Sequence, residues 1–236
     1  MAAAVPALRS TGVHARIAVA GMLVAVCISA DLHLRLSGQL SPLQNTLSEY
    51  VYGRIVSVGS GFSAASTFSA MCLAFVLGSA ALLAAIVRAY PARRRGVVPL
   101  LGVWCTGLLV CALVPVDAPG SSPTWHGDVH NIAAISAFVA LPVATLLLIG
   151  RSVTDGPWAR NPRLIRGLAV VSLAVVALLI GSAVWMQTAA GTQHALLGLY
   201  ERVLFAVDLA LLLALTRPLL VRRAKRTRRN RRLARM

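Results

Sequence analysis

Charged residues are scarce in this chain, 13% of 236 positions against 58% hydrophobic, with a mean hydropathy of +0.76. A soluble domain of this length could not cover itself on that composition, so a water-soluble fold is excluded. Acids are scarcer still, 7 Asp and Glu against 23 Lys and Arg, for a net charge of +16. The four cysteines, Cys27, Cys72, Cys105 and Cys111, all fall inside apolar runs, and none forms a CxxC pair. That argues against a disulfide framework or a thiol-redox centre and for buried, inert thiols. No A-x-A cleavage site follows the first apolar run, which is therefore expected to stay as a span and not to leave as a signal peptide. No similarity between halves marks inverted repeats. Lysine occurs once, at Lys225, in an Ala- and Arg-rich chain; that usage suggests a high-GC bacterial genome and hence a bacterial plasma membrane.

What the chain does have is six apolar runs, at residues 17–34, 62–87, 97–116, 132–149, 167–186 and 196–215. Each is near the ~20 residues a hydrocarbon core requires. They predict an all-α polytopic membrane protein, a bundle of six transmembrane helices. Residues 1–16 form an N-terminal segment, 17–216 the membrane domain with an outer loop at 35–61, and 217–236 a basic tail, with no soluble domain attached. The basic residues orient it. Arg9 and Arg16, the groups within 88–95 and 151–166, and ten residues after Thr216 fall on one side, leaving only Arg35, Arg54 and Arg202 for the other. The positive-inside bias then predicts cytoplasmic N and C termini. Because the charge sits at the ends of apolar runs, the tail is read as meeting anionic lipid headgroups and not nucleic acid. Pro142 is expected to kink the fourth span and Pro218 to help end the sixth.

Acids and histidines show the opposite asymmetry. Asp31, Glu49, Asp117, Asp128, Glu201, Asp208, His33, His126, His130 and His194 all fall in the outer half or outer loops. Ionisable groups at membrane depth are costly and usually face the bundle interior. In the outer loop, residues 41–50 read as a short surface helix of amphipathic character, with Pro42 in its first turn and Tyr50 and Tyr52 at headgroup level. Before the fourth run, Ser122 suits a cap and Pro123 a first turn. A helix from there places His126 and His130 at i and i+4 on one face, where a single turn could hold zinc. The alternative is two wet interfacial histidines. In the sixth run His194, Glu201 and Asp208 are spaced by seven and share a stripe, with ~20° of drift per step and ~10 Å of depth between neighbours. Asp208 is either an acid hydrogen-bonded to a neighbouring helix or the floor of a polar pocket. Arg202 needs a partner, expected in Asp31 or Asp117, since adjacent helix positions such as Glu201 do not face it; it would otherwise hold an anionic headgroup. Spans one, three, four and six thus contribute polar groups at similar depth, which suggests one externally open site.

At Asp31, Asn45-Thr46-Leu47-Ser48-Glu49-Tyr50, Pro115-Val116-Asp117, the His126/His130 region and Gly198-Leu199-Tyr200-Glu201-Arg202, the chain resembles a bacterial and archaeal membrane family termed domain of unknown function 998. The resemblance implies a six-helix bundle and no established chemistry. More distantly the chain is similar to the alkaline ceramidase superfamily of membrane hydrolases. That likeness implies zinc on His126, His130 and His194, with Asp117 as the carboxylate and Ser48 as the hydroxyl. The chain departs from that pattern in having six spans in place of seven, HxxxH on the fourth span in place of the last, and Ser48 in a loop.

Three functions use these residues differently. An enzyme acting on a lipid or other amphiphile would employ Asp31, Asp117, Glu201 and Arg202, with or without zinc. A proton-coupled transporter would relay protons along Glu201 and Asp208, although the cytoplasmic halves of the spans are nearly devoid of ionisable groups. A ligand-binding, sensor or structural bundle would use the outer cluster, including Ser48, Glu49 and Asp208, without chemistry.

Overall fold

The computed structural model of the chain describes residues 4–55, 63–90, 94–150, 158–188 and 196–233. Among them are six α-helices: α1 (Ala4–Leu36), α2 (Ala64–Ala89), α3 (Arg94–Leu113), α4 (Trp125–Ile149), α5 (Pro162–Thr188) and α6 (Leu197–Leu233). A 3-10 helix, Ser48–Tyr52, lies in the loop after α1. All six α-helices contain a segment long and apolar enough to cross a membrane. The expected all-α, six-span, multi-pass architecture is the one observed.

Each helix packs on the next in sequence, and α6 returns to α1, so the six close a ring. Large apolar side chains such as Leu23, Leu77, Leu164 and Trp185 point outward, where a lipid tail is as good a neighbour as another helix. Inward-facing positions on α1 are small or flexible: Ala15, Ala18, Met22 and Ala25 recur at helical spacing and are fully buried. Gly21 faces Gly78 of α2 so closely that a Cβ on Gly21 would lie 2.8 Å from both Ala74 O and Gly78 Cα. Such small-residue contacts let membrane helices gain dispersion energy from backbone to backbone. Polar bonds tie the neighbours: Ser69 Oγ donates to Ala112 O at 2.6 Å and Trp104 Nε1 to Ser79 Oγ at 2.8 Å, joining α2 to α3. At the other end of the bundle, Trp158 Nε1 donates to Leu215 O at 2.9 Å and meets Tyr90 edge-on.

Several local expectations are corrected. α6 does not end near Pro218; the helix continues to Leu233. Proline removes one backbone donor, and the Arg-rich stretch that follows is made of good helix formers. The cap of α4 is Thr124, two residues beyond Ser122, because its hydroxyl accepts from Gly127 N at 3.3 Å. Residues 41–50 are not one surface helix: a turn closed by Asn45 N to Ser41 O at 2.8 Å precedes the short 3-10 helix. Tyr50 is 1% exposed and belongs to the core. Of the cysteines, Cys72 and Cys111 are buried while Cys27 is exposed on α1.

Gly21→Ala should force α1 from α2 and destabilise the bundle by about 1–3 kcal/mol, seen as a lower thermal unfolding midpoint in detergent. Gly102→Ala, where an added Cβ meets nothing within 4 Å, should leave the midpoint unchanged or slightly higher.

Candidate functional site

A helix start leaves backbone N–H groups without intrahelical partners. At α6 two of these are satisfied by the outer loop, with Gly198 N donating to Gln44 O at 3.3 Å and Leu199 N to Leu43 O at 3.1 Å. The loop approaches so closely that a Cβ on Gly198 would fall 2.7 Å from Pro42 O and closer still to Asn45 O. Side chains one turn further along α6 complete the dock. Glu201 Oε2 accepts from Leu47 N. Arg202 Nη1 donates to Asn45 O and Gly198 O, each at 2.8 Å. Its Nε donates to His33 Nε2 at 2.6 Å, while His33 Nδ1 lies 2.8 Å from Ser29 O. The ring proton of His33 therefore sits on Nδ1, and Nε2 acts as acceptor. The guanidinium also stands 5.1 Å from the Tyr50 ring centroid, a cation–π distance.

The loop is tied within itself. Glu49 Oε2 accepts from Thr46 N at 2.9 Å and Asn45 Nδ2 at 3.1 Å. Gln39 and Arg54 exchange two bonds at its base, at 2.8 and 2.9 Å. Tyr52 OH donates to Val116 O at 2.5 Å and joins the loop to the segment after α3.

Beneath this cap lies a cavity of about 440 Å³ in the centre of the helix ring. Phe68, Phe75, Trp104, Phe138 and Phe205 give it aromatic walls. Ser48, Glu49 and Glu201 sit on the cap side, and His130 and Asn131 border it from α4. Asp208 lies a further ~10 Å down α6. It is 2% exposed, and its Oδ1 accepts from Ser172 Oγ of α5 at 2.6 Å. Its second oxygen, Oδ2, is buried with no hydrogen-bond partner.

The sequence-predicted residues thus separate into groups. Ser48, Glu49, His130, Glu201 and Asp208 border the cavity. Asp31 does not: it pairs with Arg35 at 2.8 Å on the half-exposed end of α1. Asp117 does not line it either. It accepts from Thr124 Oγ1 at 2.5 Å and Thr124 N at 3.0 Å, fixing the cap of α4 and adding negative charge where the helix dipole favours it. The Thr124 hydroxyl, then the Thr124 amide, and more weakly His126, hold its carboxyl below the ordinary carboxylate value. The expected carboxylate partner of Arg202 is replaced by His33 and two carbonyls. His126 and His130 part company: His126 is exposed and stacked on Trp125, whereas His130 is buried with Nδ1 2.7 Å from Val114 O. His194 lies outside the described residues. Among the described residues no three His, Cys, Asp or Glu side chains gather as a metal site requires.

A family model for protein of unknown function (DUF998) matches residues 18–218. The chain belongs to this family. No curated protein and no solved structure matches it. In this DUF998 protein the matched region takes in all of the cap, the cavity walls and Asp208, so the site lies within the matched residues and not in the basic extension beyond them.

The sequence reading missed the aromatic walls and the partners His33, Asn45 and Ser172. A His four residues after a serine carbonyl on α1 was the one available hint for His33; the others depend on which helices meet. Arg202→Met should destabilise the protein by about 2–4 kcal/mol. Gly198→Ala should release the cap with less effect on the helices. In both variants limited proteolysis within residues 37–55 should precede global unfolding, which it does not in the parent protein.

Proposed function

We propose that this membrane protein binds a small amphiphile in its central cavity, drawn from the surrounding bilayer. The supporting observation is an aromatic-walled cavity at span depth whose wall continues onto the outside of the bundle. Ile135 of α4 and Val184 of α5 both line it, yet are 39% and 53% exposed. Its volume lies within the roughly 300–1,000 Å³ usual for small-molecule sites, which are mostly apolar with a few fixed polar groups. An apolar body would fill the space between Phe75, Trp104 and Phe205, and one of the few polar groups of the lining, which include Ser48, Glu49, Glu201 and Asp208, would meet its hydrophilic end.

The rim is taken to face outward, with both termini in the cytoplasm of a bacterial plasma membrane. This orientation rests on the basic residues clustered at the opposite end of the spans. The helical extension after Thr216 would lie against anionic headgroups. A C-terminal fluorescent-protein fusion should fluoresce and a C-terminal alkaline phosphatase fusion should be inactive; the reverse pattern would overturn the orientation.

Binding is tested by quenching of Trp104 fluorescence with a brominated long-chain alcohol, in protein whose other three tryptophans are Phe. Saturable quenching is expected, and Ala134→Phe, which fills the cavity from α4, should abolish it. Quenching that rises linearly with probe and ignores Ala134→Phe would reflect lipid partitioning and remove the proposal.

A further inference from the structure

The chain carries +16 of net charge, yet among the described residues no Lys or Arg lines the cavity. Its ionisable lining, among the described residues, consists of Glu49, Glu201, Asp208, His130 and two cysteines. Arg202 on α6 is outside the lining; its Nε and Nη1 are directed to His33, Asn45 and Gly198, and its Nη2 is buried without a partner. A strongly basic protein has therefore gathered three of its 7 acids around one apolar space.

Asp208 makes the arrangement specific. It shares the cavity lining with Cys72, Phe75, Trp104 and Phe205, with one oxygen held by Ser172 and the other buried without a partner. A buried carboxyl oxygen without a donor is costly, and in hydrocarbon surroundings there is little water to meet the cost. Aromatic faces add a second attraction of the same sign, because ring quadrupoles favour cations at their faces. A donor-bearing positive group would satisfy both at once; a carboxylate or phosphate would be repelled by the acids and by the ring faces.

We infer that the ligand of this cavity is a lipophilic amine, bound with its ammonium on the free oxygen of Asp208 and its apolar body between Phe75, Trp104 and Phe205. The inference rests on the reading of the cavity as a ligand site and adds the charge of the occupant. Ser172 is a positioning residue: its hydroxyl holds Oδ1 and leaves Oδ2 for the ammonium. The rim acids Glu49 and Glu201 would attract the cation on its way in.

The test compares dodecylamine, dodecanol and dodecanoate, probes of one chain length and three charges, for saturable binding to the full-length protein in nanodiscs of zwitterionic lipid. The inference expects wild-type protein to prefer the amine over the alcohol by about ten- to hundred-fold, as a desolvated charge pair provides, and to bind the carboxylate weakest. Asp208→Asn keeps the shape and an acceptor for Ser172 but removes the charge, and should bring amine and alcohol level. The wild-type ranking is decisive even where that variant folds poorly. Equal binding of amine and alcohol, both displaced by Ala134→Phe, would leave the cavity as a ligand site and overturn the cation. An amine preference undiminished in folded Asp208→Asn would overturn the assignment to Asp208. Saturable binding of none of the three would overturn both this inference and the binding function beneath it.

Discussion

An arginine one turn inside a membrane helix must find acceptors there, because hydrocarbon offers none. Arg202 finds an imidazole nitrogen for Nε and two backbone carbonyls for Nη1, while Nη2 stays buried without a partner, and each acceptor belongs to a different part of the structure: the end of α1, the outer loop and α6 itself. The guanidinium is planar and presents donors along fixed directions, so satisfying it sets the positions of all three relative to one another. The loop carbonyls and Glu201 in turn meet backbone donors at the start of α6 and in the loop. Without this junction the cavity would have walls but no roof.

The same chemistry explains why the cap is built of backbone as much as of side chains. Gly198 removes the one atom that would keep the loop away, and the loop's carbonyls then reach the open helix terminus. Two of the short segments on which the family resemblance rested, Asn45 to Tyr50 and Gly198 to Arg202, are the two halves of this contact.

Much of the architecture was legible because bilayer thickness and loop charge are one-dimensional constraints. Six runs near 20 residues, separated by basic clusters, leave little freedom in the number of helices. Asp208 was legible as interior because nothing around it in sequence is polar. Its partner Ser172 was not, since a serine in a membrane helix signals nothing until the facing helix is known. Phe68, Phe75 and Phe205 were equally silent, because an aromatic in a span reads alike whether it faces lipid, core or cavity. The HxxxH spacing misled for a related reason: i and i+4 share a face only within about 40°, enough at the end of α4 to leave His126 outside and His130 inside. Arg202 was expected to seek charge, but desolvated carbonyls and a ring nitrogen serve a guanidinium without burying a second ion.

The contacts that roof the cavity join residues far apart in the chain: 154 positions between Leu47 and Glu201, 157 between Asn45 and Arg202, 169 between His33 and Arg202. During synthesis the loop is finished long before its partners exist. Four more spans are made while Asn45, Leu47 and His33 still lack the groups they will meet, and the sixth brings those groups with its first two turns. The roof of the cavity is therefore among the last contacts to form, and its closure reports that all six spans have been assembled.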